Sequence, residues 1–337
     1  MSTPDLDQAV EIRKSRIDTL DADHRDPILQ AISNILSTEI AEVTYAQVVD
    51  GLPLASAVND AYYLTENDHP VLGHKELCPG VLEQTRSFRA AFNPTALLFD
   101  AGLLLAYHAA SPGSRAFKTR FIEIIAVAIH QIAVLLFKQD TSRHKDGGIV
   151  SWIPPEEPDH DWWFTLHPDG PLPSLFAHSW FTNFAHYPEG VADMVGYWAE
   201  ARILGGVVTF DRQSPESDDV YFHPDRSHVT YRICLLLDSQ KQDLLSFLLS
   251  ESVDPSAPVP IPIRPGREND KRVDSEESIA LTGIYRDIWE RKTRPDEFGD
   301  ERAFNYNESN LNFTSMRDWA EARNRWRTRW QRYNNED

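Results

Sequence analysis

The stretch FKTRFIEIIAVAIHQIAVLLFKQ, residues 117–139, is long enough for about six turns of helix and is almost wholly apolar. Its few central polar side chains fall in register. At about 100° per residue, Glu123 and His130 lie within about 20° of each other, with Arg120 and Gln131 flanking them. A surface helix carries a broad polar face. This segment is an apolar rod with one narrow polar stripe, a pattern that predicts burial around most of its circumference. A membrane span needs about 20 predominantly apolar residues and tolerates charge poorly. The apolar run 121–137 is interrupted by Glu123, His130 and Gln131, so the segment is expected to be a core helix of a soluble protein.

A buried carboxylate is costly unless it is paired, hydrogen-bonded or metal-bound. Two readings of the stripe therefore stand. In one, Arg120 and Glu123 form an internal ion pair at i,i+3 and His130 is a satisfied core histidine. In the other, the stripe is the polar wall of a cavity, with Glu123 as metal ligand or general base.

Working outward, residues 1–25 read as a polar lead-in, and residues 26–50 carry Ile28, Leu29, Ile32 and Leu36 at helical spacing. The stretch 80–110 reads as two helices punctuated by Asn93-Pro94, and Ser111-Pro112-Gly113-Ser114 is a turn before the long helix. Residues 151–189, rich in Pro, Trp, Phe and His without a clean period, read as a long ordered loop. A helix over about 190–204 is stopped by Gly205-Gly206. GVVTFDR (206–212) and VYFHP (220–224) read as the strands of a small β-hairpin. An amphipathic helix is expected over 226–251, a Pro-rich crossing segment over 252–275, and helices over 277–292 and 315–333. The expected architecture is mainly α: one helical-bundle domain over 26–337 with long ordered loops and room for one β-hairpin.

With 52 acidic against 33 basic residues the chain has a net charge of −19. Such a chain repels nucleic acid and anionic membranes at long range, and it can hold an anion only through local cations or a bridging metal. Cys78 and Cys234 belong to no CxxC pair, which argues against a zinc knuckle, a redox dithiol or a disulfide framework. The polar start MSTPDLDQAVEIRKSRID has no apolar signal core, so a cytoplasmic location is expected. No P-loop, GxGxxG, HExxH, GxSxG or DDxxD motif occurs.

The second helix echoes the first. Asp193, Tyr197, Glu200 and Leu204 share one face, with Arg202 opposite. Carboxylates from two helices facing one cavity are a common way to hold divalent ions, and a half-solvated face is the plainer alternative. Asp100 is a third isolated carboxylate in an apolar stretch, with His108 eight residues on. Arg226, Arg232 and Arg286, with Tyr231 and Tyr285 as neighbours, are candidates for gripping an anion. The C-terminal stripe Met316, Trp319, Arg323, Trp326, Trp330 and Tyr333 is basic and aromatic, but docking onto the body suits this acidic chain better than nucleic-acid binding.

The blocks RFIEIIAVAIHQIAVLLFKQD (120–140), ADMVGYWAEARILGGVVTFDR (192–212), YFHPDRSHVTYRI (221–233) and TGIYRDIWERK (282–292) resemble a group of filamentous-fungal proteins. This group is related to the fungal sesquiterpene cyclases that lack the aspartate-rich motif, such as the ionylideneethane synthases of abscisic-acid pathways. The resemblance covers about residues 80–292. It implies an all-α body, farnesyl diphosphate as substrate and Mg2+ as cofactor. On the leading hypothesis of a metal-dependent lyase, the two helix faces make Glu123, His130 and Tyr197 the catalytic candidates, and Glu123, Asp193 and Glu200 the candidate metal ligands. Arg120, Arg232, Arg286 and Tyr231 would bind the substrate. The alternatives are another metal-dependent enzyme using the same helix faces, and a non-catalytic binding or scaffold protein with a structural stripe.

Overall fold

The computed structural model describes residues 13–61, 68–144, 148–157, 160, 163–164, 167, 169–214, 216–251, 258–275, 277, 279–290, 324 and 328. The first half of the chain runs β1 (Lys14–Ser15), α1 (Ala22–Leu36), α2 (Glu39–Asp50), α3 (Ala55–Asn59), α4 (Val81–Ala91), β2 (Phe99–Asp100), α5 (Ala101–His108) and α6 (Arg115–Lys138). Then come α7 (Val191–Leu204), β3 (Val207–Asp211), β4 (Val220–His223), β5 (Ile233–Leu235), α8 (Asp238–Leu248), β6 (Arg272–Val273), α9 (Ile279–Thr282) and β7 (Ile284–Tyr285).

Local chemistry sets the helix ends. The Ser114 side chain accepts the Phe117 N–H and opens α6. Asp100 does the same for Leu103 at the start of α5, so this carboxylate is an N-cap and not a group buried inside a helix. Gly205, at φ +109°, ends α7 in the left-handed region. A Cβ there would meet the Ile263 carbonyl oxygen at 1.9 Å, because the Pro-rich segment crosses the helix end and the Ile263 N–H donates to the Leu204 carbonyl at 2.7 Å.

α6 is the central rod of the core. α1, α2, α5 and α7 pack around it, burying Ile122, Ile125, Ile129, Ile132 and Leu136. Each such side chain contributes about 1.5–3 kcal/mol when fully buried. Among the described residues α6 is the one helix long and apolar enough to cross a membrane, and 72% of its apolar window is buried within the fold. Its closest neighbour is α7. Gly196 permits the approach: a Cβ at 196 would stand 2.5 Å from His130 Nε2.

The mainly-α expectation is overturned by a five-stranded antiparallel sheet in the order β6-β5-β4-β3-β7, beside the two-stranded pair β1-β2. The protein is mixed α and β. The hairpin β3-β4 forms as expected, with Val208 opposite Phe222. The sheet then grows from segments that read as helix. β5, with Cys234 opposite Phe222, lies inside the expected 226–251 helix, which begins only at Asp238. The run Ile233, Cys234, Leu236, Leu237 fits a short buried strand as well as a helix turn, because an apolar run this short has no decisive period. β7 likewise interrupts the expected 277–292 helix, leaving four helical residues at Ile279–Thr282. In 80–110, helix stops at Ala91 and resumes at Ala101, with β2 between pairing β1. That pairing, Lys14 with Asp100 and Ser15 with Phe99, also ties the described part of the N-terminal lead-in into the fold. The expected 315–333 helix lies outside the described residues, apart from positions 324 and 328.

Gly205→Ala combines a disfavoured backbone conformation with a backbone clash. It is expected to destabilise the protein by at least about 1–3 kcal/mol, measured as a lower urea midpoint at unchanged slope. An unchanged midpoint would contradict the close crossing of 263 over 205.

Candidate functional site

The polar stripe of α6 is not sealed by apolar packing. It opens on a cavity of about 840 Å³, walled by α6, α7, Arg212 at the end of β3, and residues 286–289 after β7. This volume lies within the roughly 300–1,000 Å³ range of ligand cavities. Leu97, Leu98, Leu103, Val127, Val134, Leu135 and Ile288 supply an apolar lining.

Three charged units occupy the polar part. Glu123 is buried, and its carboxylate joins two guanidinium groups: Arg120 Nη1 donates to Oε2 at 2.7 Å and Arg212 Nη2 to Oε1 at 2.6 Å. The i,i+3 pair expected from the sequence is present, but it is one half of a bridge between α6 and the sheet. Arg212 Nη2 also donates to the Arg286 carbonyl at 3.0 Å, and its guanidinium lies 5.2 Å from the Phe210 ring centre.

The second unit centres on Arg286. Its Nη1 donates to Glu200 Oε1 at 2.7 Å and its Nε to Asp287 Oδ2 at 3.1 Å. Burial disfavours its charge, but Glu200 and Asp287 outweigh burial and hold its pKa well above the ordinary arginine range. Tyr197 donates to Asp287 Oδ2 at 3.0 Å. Burial first, then the Asp287 charge, pushes the Tyr197 hydroxyl well up, so it acts as a donor and not as a phenolate.

The third unit is His130 with Asp193. His130 Nε2 lies 2.9 Å from Asp193 Oδ1, and its Nδ1 faces Glu200 Oε2 at 3.9 Å. Asp193 Oδ2 accepts the Glu189 N–H at 2.8 Å. Burial works against the Asp193 carboxylate, but His130 and the Glu189 amide outweigh it, so its pKa falls below the usual aspartate range. The His130 ring meets Tyr197 edge-on at 4.5 Å.

Arg120, Glu123, His130, Asp193, Tyr197 and Arg286 thus converge on one wall, with Glu200 directly behind it. Arg232 and Tyr231 do not join them. Arg232 pairs with Asp274 at 3.2 Å, and Tyr231 stacks on Trp180 with ring centres 5.3 Å apart. The expected helix over 226–251 begins only at Asp238, so both lie in the segment leading into β5. Arg226 is occupied by Asp60. Sequence reasoning missed Arg212, Asp287 and Trp289, which also line the cavity. A lone arginine after a strand carries no periodic signal, and the packing of β3 on α6 brings it to Glu123.

Among the described lining residues, five cations (Lys14, Arg120, Lys138, Arg212, Arg286) meet five carboxylates (Asp100, Glu123, Glu189, Asp193, Asp287). In a chain with 52 acidic and 33 basic residues, an evenly balanced wall is locally rich in cations. The carboxylates expected to share Mg2+ do not suit that task. Glu123, Asp193 and Glu200 do not form a set of ligand atoms within 4.8 Å of one another, and each is committed to a cation or an amide. Comparison of the chain with protein-family models, curated proteins and solved structures finds no match.

Asp193→Asn is expected to cost about 1.5–3 kcal/mol at pH 7, as the loss of a charged hydrogen bond. Because the folded-state pKa of Asp193 is depressed, its contribution is complete above the ordinary aspartate value and is lost as pH falls through the depressed one. Urea titrations of wild type and variant should therefore stay apart down to the ordinary aspartate value of about 4 and converge only below it. A gap that stays constant into strong acid would refute the pairing.

Proposed function

We propose that the cavity binds an amphiphilic anion and that the protein is a lyase acting on an isoprenoid diphosphate, with farnesyl diphosphate as substrate and a cyclic sesquiterpene as product. The observation that carries the reading is the union, in one cavity, of an apolar lining with the guanidinium groups of Arg120, Arg212 and Arg286. The resemblance of the 120–140 and 192–212 blocks to fungal sesquiterpene cyclases supports the same class.

The chemistry needs three things. The carbon–oxygen bond to the diphosphate breaks heterolytically, and the electron pair leaves with the diphosphate, whose charge must be met. An arginine has five N–H donors, and the Glu123 bridge engages one nitrogen each of Arg120 and Arg212, so both keep donors for a phosphate oxygen. The allylic cation must be kept from water, the role of the apolar wall and of Trp289. A proton is finally lost from the cyclised cation, and the His130–Asp193 pair accepts it. Since the three helical carboxylates do not converge, the leaving group is met here by guanidinium groups and not by an ion held on those carboxylates.

The purified chain incubated with farnesyl diphosphate, with and without Mg2+, should release pyrophosphate and a hydrocarbon resolved by gas chromatography. Arg212→Met should lower kcat by roughly 10²–10³ while its far-ultraviolet circular dichroism stays that of wild type. Absence of both products from wild type under either condition sinks the lyase reading. Saturable binding of the diphosphate without turnover would then identify a carrier.

A further inference from the structure

A second cluster lies away from the cavity, and none of its members lines it. Asp50 closes α2, His74 and Cys78 lie in the segment before α4, and His144 follows α6. One ligand atom from each of the four lies within 4.8 Å of all the others. His74 Nε2 is 3.2 Å from Asp50 Oδ2, Cys78 Sγ is 3.3 Å from His144 Nε2, and His144 Nε2 is 3.4 Å from Asp50 Oδ1. Zinc bonds of about 2.0–2.3 Å in tetrahedral array set neighbouring ligand atoms about 3.3–3.8 Å apart, and the three contacts of 3.2–3.4 Å lie at the short edge of that spacing. We propose that Asp50, His74, Cys78 and His144 form a structural Zn2+ site.

Independent features support a cation at its centre. Asp50 is fully buried, and its Oδ1 has no hydrogen-bond partner. Its other oxygen accepts the Cys78 N–H at 3.0 Å. A fully buried carboxylate oxygen without a hydrogen bond, 3.4 Å from the His144 Nε2, is the anomaly that a metal removes. The outer contacts are those of a ligand set. His74 Nδ1 lies 3.0 Å from the Pro53 carbonyl, which fixes its proton there and leaves the Nε2 lone pair facing the cluster. The His144 segment is held against the end of α2. The Arg143 N–H donates to the Asp50 carbonyl at 3.0 Å, and Ser142 packs so tightly on Gly51 that a Cβ there would meet its Oγ at 1.8 Å.

The donor set selects the metal class. Hard ions such as Mg2+ and Ca2+ seek oxygen shells. Two imidazoles, a thiolate and one carboxylate suit zinc, with four protein ligands closing the shell as in structural sites. Binding displaces the thiol proton of Cys78 to solvent. Zinc with one thiolate and one carboxylate then has no net charge, which suits a site whose carboxylate is fully buried.

The full-length chain, saturated with Zn2+ and dialysed, should hold about one zinc per molecule by mass spectrometry. Co2+ in its place should give a thiolate-to-cobalt absorption band that Cys78→Ser abolishes. Alkylation of Cys78 should be slowed by Zn2+ and restored by a chelator. His144→Ala should weaken zinc binding by more than the roughly 10–100-fold that loss of an outer hydrogen-bond partner costs. Because chelator-treated wild type keeps all four side chains, its lower Tm reports the metal without any variant. Zinc well below one per molecule, together with a Tm and a Cys78 alkylation rate indifferent to Zn2+ and chelator, would overturn the site.

Discussion

Where α7 meets the sheet, buried Glu200 lies 2.7 Å from Arg286 at the back of the cavity wall. The same Glu200 oxygen accepts the Val208 N–H at 2.7 Å. One carboxylate therefore fixes three things at once: the direction of α7, the start of β3 and the exit from β7. Arg286 passes the constraint on. Its carbonyl takes a bond from Arg212, whose guanidinium clasps Glu123 on α6, and its neighbour Asp287 takes the hydroxyl of Tyr197. A buried ion pair seldom adds much net stability, but removing one partner strands the other and costs about 3–5 kcal/mol. Its value here is geometric. The cavity wall has its shape because helix and sheet are locked at this point.

That lock also explains why the polar stripe of α6 is neither a simple structural pair nor an open acidic face. Arg120 and Glu123 do pair along the helix, but Glu123 equally serves Arg212 from the sheet. The plainer and the sharper readings of the stripe are thus compatible. Glu123 is satisfied structurally, and Arg120 and Arg212, which satisfy it, face a cavity with donors to spare.

The sequence made α6, its stripe and the echoing face of α7 legible, because helical spacing is a local property and both helices are long. Five of the expected site residues, Arg120, Glu123, His130, Asp193 and Tyr197, meet on one wall for that reason, and Arg286 joins them from beyond β7. The sheet was illegible beyond its first hairpin. Val220–His223 is buried on every residue, so it shows no alternation, and β5, β6 and β7 are two or three residues long. Arg232 and Tyr231 fall inside the expected 226–251 helix, whose first half is a loop and β5, and they lie away from the cavity. Cys78 fell to a different blindness. Its three companions lie 28 residues before, four residues before and 66 residues after it, and no short motif spans such distances. Tertiary packing alone assembles that set, at the ends of α2 and α6.

α6 also has a history within the growing chain. α1, α2 and α5 precede it, but α7, Arg212 and Arg286 follow it, so the helix leaves the ribosome with its stripe still bare. Until α7 arrives to lay Gly196 against His130, a segment with the length and hydropathy of a membrane span stands with one side uncovered. The final step of folding must wait for the later part of the chain. Until then α6 presents the kind of transiently exposed apolar surface that makes folding intermediates prone to aggregate.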